Sequence, residues 1–244
     1  MDLIIDLGNT NKKLAVFKND RLLVLEQYPS VKFDIVKDFV IRHPEIDRCI
    51  LASVVPYPAS IRNFLSKNFR FIELDEKTDL PLINKYKTKK TLGKDRLAAA
   101  VAANSMFPGQ DVLVVNAGSC ITYDFVNSHN EYLGGAISPG FSMRLQALHT
   151  FTGKLPLVSL KGKESLLGKD TETSISSGVM NGTIAEIEGV ALRYYEKYPG
   201  IKLVLSGGDL KYFDKQLKIS IFAFPNIVIH GLCQILEFNV KTAK

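Results

Sequence analysis

The sequence predicts an α/β fold built by duplication: two units with mixed sheets, each of the order βββαβαβα. Two observations carry this expectation. A strand–corner–strand stretch occurs twice, as LIIDLGNTNKKLAVF from Leu3 and as LVVNAGSCITYDFV from Leu113. In both, an apolar run ends in a polar residue, then x-Gly, a small hydroxyl residue and a second strand. Asp6 and Asn116 open the two corners 110 positions apart, close to half of the 244-residue chain. The second observation is that the element order following each corner is the same.

In the first half, Lys18-Asn19-Asp20-Arg21 reads as a turn and Leu22–Gln27 as a third strand. Phe33, Val36, Phe39 and Val40 have helical spacing, and Pro44 closes that helix. Cys49–Val55 is a continuous apolar run of the buried, parallel-sheet type. Ile61–Phe69 reads as a short helix and Arg70–Leu74 as a strand. Residues 78–91 are irregular and Lys-rich. The alanine run in LAAAVAANSMF then forms a helix that Pro108-Gly109 ends.

After the second corner, Tyr132–Ser138 is the third strand and Phe141–Phe151 a helix. A loop leads to about Asp170, and a long helix covers Ser174–Tyr198. Ile201–Leu205 is a strand ending in Ser206-Gly207-Gly208-Asp209. A short helix, a strand at Ile219–Ala223 and a helix from Ile229 follow. The expected domains are 1–111 and 112–244.

Composition excludes several classes. Hydrophobic content of 46% and charged content of 23% are ordinary for a globular protein. No apolar run approaches the roughly 20 residues of a membrane span, and Met1-Asp2-Leu3 lacks the basic start of a secretory signal. Cys49, Cys120 and Cys233 form no CxxC and read as buried free thiols of a reducing, cytoplasmic compartment. The four His have no ligand spacing. A net charge of +6 permits anionic ligands, but the lysines are scattered and no aromatic-basic stripe suggests nucleic acid.

The first corner carries the chemistry. Gly8 lets backbone approach a ligand. Asn9 and Thr10 add donors, Lys13 a positive charge, and Asp6 a carboxylate able to hold a hydrated divalent ion. That set suits a phosphate tail, although strand-Asp-x-Gly also occurs in plain hairpins.

With these motifs placed, the chain resembles the type III pantothenate kinases of the acetate-kinase, sugar-kinase, Hsp70 and actin superfamily. DLGNTNKKLAVF resembles the first phosphate motif, TLGKDRLAAAVAA the substrate motif and NAGSCITYDF the second phosphate motif; GGAISPG, GKDTETSISSG and LSGGD follow in order. The resemblance implies a duplicated RNase H-like, actin-like ATPase fold with its active site in the cleft between domains. It implies ATP-dependent phosphorylation of pantothenate at its primary hydroxyl, the first step towards coenzyme A. Mg²⁺, a monovalent cation (K⁺ or NH₄⁺) and a homodimer, with pantothenate near the dimer interface, are implied as well.

Residue by residue, Asp95 matches the catalytic base; an N-cap is the local alternative. Arg96 matches a contact to the pantothenate carboxylate. Gly93, Lys94, Tyr86 and Thr171 match further pantothenate contacts. Asp6, Leu7, Gly8, Asn9, Thr10, Asn11, Lys12 and Lys13 match the ATP-phosphate loop, with Asp6 holding Mg²⁺ through water. Gly118 and Ser119 match the second phosphate loop, Ser119 replacing the usual Thr. Ser206–Asp209 either borders adenosine or is a plain strand-end turn.

Two departures stand out. Asn116 replaces the Asp that helps hold the monovalent cation, which weakens that site unless Asp124 takes over. Lys89 replaces a Pro three residues after Tyr86, which leaves that loop less constrained. A catalytically weak, nucleotide-binding regulatory accessory protein is therefore the second reading.

Overall fold

The computed structural model describes residues 1–213 and 216–242. The chain forms two units. The first is Met1–Met106 with Asn130–Tyr132 and the segment from Ile227; the second is Phe107–His129 with Leu133–Asn226. The expected division at 111/112 placed the last helix and residues 130–132 in the second half, whereas both pack with the first. The expected outer bound, residue 244, lies outside the described residues.

In the first unit, β1 (Asp2–Leu7), β2 (Lys12–Lys18), β3 (Arg21–Tyr28), β4 (Arg48–Ser53) and β5 (Arg70–Glu73) form a sheet in the order β3-β2-β1-β4-β5. β1 and β2 are antiparallel, as are β2 and β3; β4 runs parallel to both β1 and β5. Strand alternation sorts β1 cleanly. Leu3, Ile5 and Leu7 enter a core with Val36 and Phe39 of α1 (Phe33–Arg42) and Ile61 and Leu65 of α2 (Ala59–Asn68). Asp2, Ile4 and Asp6 lie on the opposite face.

That opposite face is covered by α3 (Lys94–Met106) and α6 (Ile227–Thr242). Ala98 through Ala103 are all buried, so α3 packs on several sides at once. α6 crosses it closely at Gly231, where an added Cβ would stand 1.8 Å from the Ala98 carbonyl oxygen. This close crossing is the physical reason the last helix belongs with the first unit.

The second unit repeats the plan. β7 (Val112–Ala117), β8 (Cys120–Val126), β9 (Glu131–Pro139), β10 (Lys202–Ser206) and β11 (Phe222–Ala223) take the order β9-β8-β7-β10-β11, in a six-stranded sheet whose edge beyond β9 is the short β6 (Ile83–Asn84). β7 and β8 are antiparallel; β10 is parallel to β7 and β11. Leu113, Val115 and Ala117 pack with Phe141 and Leu145 of α4 (Phe141–Thr150) and with Met180 and Ile187 of α5 (Thr171–Lys197). Asn116, like Asp6, lies on the other face.

Three elements depart from the sequence expectations. The strand expected over Ile219–Ala223 is confined to Phe222–Ala223. The expected short helix before it is a 3₁₀ turn at Leu210–Tyr212. α5 begins at Thr171 rather than Ser174, because Asp170 caps it: its carboxylate accepts from the Thr173 amide at 2.8 Å, and Thr173 Oγ1 accepts from the Asp170 amide at 3.1 Å. The irregular segment 78–91 holds a two-residue strand, β6 (Ile83–Asn84), paired in parallel with Glu131 and Tyr132 at the start of β9.

Gly231→Ala is expected to lower stability by about 1–3 kcal/mol or more, the scale of overpacking a close-packed contact. A thermal midpoint equal to wild type would contradict the α3–α6 crossing.

Candidate active site

The first corner is built by register. Asp6 pairs with Lys13, and Leu7 with Lys12, across the antiparallel β1–β2 ladder. Residues directly opposite each other present side chains to the same face. A carboxylate and an ammonium are therefore neighbours at the end of the sheet. Between them Gly8, Asn9, Thr10 and Asn11 make the corner, with Asn9, Thr10 and Asn11 exposed. A Cβ on Gly8 would lie 2.9 Å from the Asn11 carbonyl oxygen, so a larger residue would open the turn. The Lys12 ammonium donates to the Asn9 carbonyl at 2.8 Å and braces the corner from within.

Asp6 shares its face with α3, and the first turn of that helix carries Asp95. Burial pushes the Asp6 carboxyl pKa up to about 7; the Lys13 charge opposes this and the Asp95 charge adds to it. The same burial pulls the Lys13 ammonium below its usual value, against the pull of Asp6. Two carboxylates and one lysine thus meet where excess negative charge is costly, which is a setting that favours a bound cation.

Asp95 is the second residue of α3, not the capping residue before it, which answers the N-cap alternative. Leu97 donates its amide to the Gly93 carbonyl at 3.2 Å. A Cβ on Gly93 would stand 2.6 Å from Asp95 Oδ1, so Gly93 leaves the space the carboxylate uses. Arg96 is only 5% exposed, and its guanidinium carbon lies 5.7 Å from the centroid of the half-buried Tyr86 ring. Lys94 is half-buried, and its charge helps hold Glu73 ionised. Lys89 opens a 3₁₀ turn, Lys89–Thr91, closed by the Thr91 amide on the Thr88 carbonyl at 3.0 Å.

The second corner has the same backbone plan without the charge. Asn116 pairs with Thr122 on one side and Ser206 on the other. Where the first corner sets Asp6 against Lys13, the second sets an amide against a hydroxyl. Gly118 donates its amide to the Cys120 carbonyl at 3.0 Å, and Gly140 donates to the Ser119 carbonyl at 3.2 Å. Two glycines press on this corner. A Cβ on Gly140 would lie 2.0 Å from the Gly118 oxygen. Gly207, at φ 106°, would bring one 1.9 Å from the Ala117 oxygen. The Asp209 amide also donates to Ala117 at 3.1 Å. The Ser206–Asp209 turn is thus a brace for the second corner, a function its sequence did not reveal.

Thr171 is the exposed first residue of α5, its neighbour Asp170 doing the capping. Among the described residues no cluster of three or more His, Cys, Asp and Glu forms a metal site. One carboxylate, Asp6, beside a corner of exposed polar residues fits Mg²⁺, which is commonly held by one or two carboxylates, water and substrate phosphates.

The repeated corner and the matching sheet orders define the actin-like ATPase and sugar-kinase fold. A solved polyphosphate/ATP-glucomannokinase from Arthrobacter sp. strain KM shares it, with a TM-score of 0.51, 14% identity, and 99% of this chain and 100% of that one covered. A Baf family protein from Campylobacter jejuni gives 0.61 at 21% identity over 98% and 99% of the two chains. The type III pantothenate kinase family model matches residues 2–193. A type III pantothenate kinase from Christiangramia forsetii is 44% identical over 242 residues, 98% of this chain and 99% of its own. The chain belongs to the type III pantothenate kinase family.

A raised Asp6 pKa has a stability consequence. The folded protein holds this proton more tightly than the unfolded chain, whose Asp titrates near 3.8. The contribution is therefore present below about pH 4 and lost as pH rises towards about 7. Without divalent metal, Asp6→Asn should remove that part of the decline and melt above wild type at about pH 8. A variant no more stable there would contradict the buried charge.

Proposed function

We propose that this protein transfers the γ-phosphoryl group of ATP to the primary hydroxyl of pantothenate, the first step towards coenzyme A. The observation that carries the reading is the meeting of Asp6, Lys13 and Asp95 on one face of the first sheet, in a chain of this family. The corner residues Gly8, Asn9, Thr10 and Asn11 offer backbone and side-chain donors to the phosphate tail, and Lys13 offsets its charge. Gly118 and Ser119 of the second corner match the family's second phosphate motif. Asp6 holds hydrated Mg²⁺, which supplies further charge neutralisation at the phosphates.

In the transfer, the hydroxyl oxygen of pantothenate bonds to the γ-phosphorus and the bond to the ADP oxygen breaks. The hydroxyl proton passes to the Asp95 carboxylate, which Gly93 leaves room to move. Arg96, buried and lying against Tyr86, offers a planar fork to the pantothenate carboxylate. Lys94 and Thr171 complete the substrate contacts that the family motifs imply.

A monovalent cation fits the second corner through neutral oxygens. The Asn116 amide stands in register with Thr122, whose buried hydroxyl has no hydrogen-bond partner among the described residues. Asp124 lies two residues on, on the same face and fully buried. K⁺ or NH₄⁺ tolerates the neutral Asn116 and Thr122 oxygens, with lower affinity than a carboxylate in place of Asn116 would give. A homodimer is supported by the segment before α5, where Phe151, Leu166 and Leu167 are 85%, 83% and 72% exposed. No described helix is long and apolar enough to cross a membrane. We place the protein in the cytoplasm, where its reduced cysteines and both substrates belong.

Retention of the Asp6–Lys13 pair and of Asp95 disfavours the regulatory accessory reading, which needs neither a phosphate lysine nor a base. Asp95→Asn should leave ATP binding near wild type and lower turnover by at least about 10²-fold, the scale of a lost general base. Unimpaired turnover would refute that role. Asn116→Asp should lower the K⁺ concentration giving half-maximal rate; an unchanged value would remove the cation from this corner.

A further inference from the structure

The segment carrying Tyr86 is held from elsewhere in the sequence. β6 is two residues long and pairs with the start of β9. The Ile83 amide donates to the Asn130 carbonyl at 2.8 Å and the Lys85 amide to the Tyr132 carbonyl at 3.0 Å. The Lys85 ammonium lies 3.3 Å from the Glu131 carboxylate. Asn84 turns the chain after the strand, its Oδ1 accepting from the Tyr86 amide at 3.0 Å.

The aromatic rings continue this attachment. Tyr132 and Tyr86 stack with centroids 6.1 Å apart and planes 29° apart. Arg96 lies 5.7 Å from the Tyr86 centroid. Tyr132 is fully buried, and Arg96 nearly so. A guanidinium recognises a carboxylate as a flat fork, so the ring beside it sets the plane in which the fork is presented. Tyr86 sits on a short, edge-paired loop and cannot fix that plane alone. Tyr132, in the wall of the sheet, can.

We propose that Tyr132 is a positioning residue for carboxylate recognition. Stacked on Tyr86 and pairing backbone with Lys85, it fixes the plane of the Arg96 guanidinium without touching substrate. The proposal rests on the reading of Arg96 as the contact to the pantothenate carboxylate.

The test compares wild type, Tyr132→Leu and Tyr132→Phe with saturating ATP, on pantothenate and on pantothenol, in which a CH₂OH group replaces the carboxylate. Tyr132→Leu should raise the pantothenate KM about five- to tenfold, the combined scale of a lost aromatic pair and a loosened cation–π contact. Its kcat and its KM for ATP should stay within about twofold, because binding energy common to ground and transition states is what is lost. Tyr132→Phe keeps the ring and should keep the pantothenate KM within about twofold of wild type. On pantothenol the Leu variant and wild type should coincide. An unchanged pantothenate KM, or an equal rise on pantothenol, overturns the positioning role and leaves Tyr132 as packing alone. Tyr132→Met fills the same space with a flexible chain and carries the same expectation should the Leu variant not fold. Wild type that consumes no ATP in response to pantothenate overturns the substrate reading, and the role of Tyr132 with it.

Discussion

The structure depends most on one cross-strand pair, Asp6 opposite Lys13. An antiparallel ladder forces the two side chains onto one face, and strand alternation makes that face the one α3 covers. A third charge, Asp95, then enters from the first turn of α3. Burial works against both members of the pair, raising the carboxyl and lowering the ammonium. Such a site is poor at stabilising the empty protein and well suited to a polyanion with a divalent ion.

Duplication explains the rest of the scaffold, and its imperfection explains the division of labour. The six-stranded sheet repeats the order of the five-stranded one and adds β6 beyond β9, and both corners follow the strand at the matching place, β1 or β7. The first corner has opposed charges, Asp6 and Lys13. The second has Asn116 and Thr122 in the equivalent places and is shaped instead by close glycine contacts at Gly140 and Gly207.

Much of this was legible in the sequence, because strands of period two, an alanine-rich helix and paired corners are local signals. The order of the elements along the chain and the two strand–corner–strand turns followed from them. What the sequence hid was long-range. β6 has no periodicity to announce it, being two residues that exist only by pairing with Glu131 and Tyr132. The return of α6 to the first unit turns on Gly231 meeting the Ala98 backbone, a contact 133 positions apart in the chain. The first turn of α5 carries no apolar periodicity because it is polar, with Thr173 closing a capping box with Asp170. Tyr132 looked like an ordinary strand aromatic. Its stack on Tyr86 connects it to Arg96.

The most direct test is ADP release by the purified protein with ATP and Mg²⁺, with and without pantothenate, and with the phosphorylated product identified by mass. Release that requires pantothenate, with one phosphopantothenate formed for each ADP, is the predicted result. ADP release that ignores pantothenate, or none at all from folded protein that binds ATP, would contradict the assignment of Asp6, Lys13 and Asp95 to phosphoryl transfer.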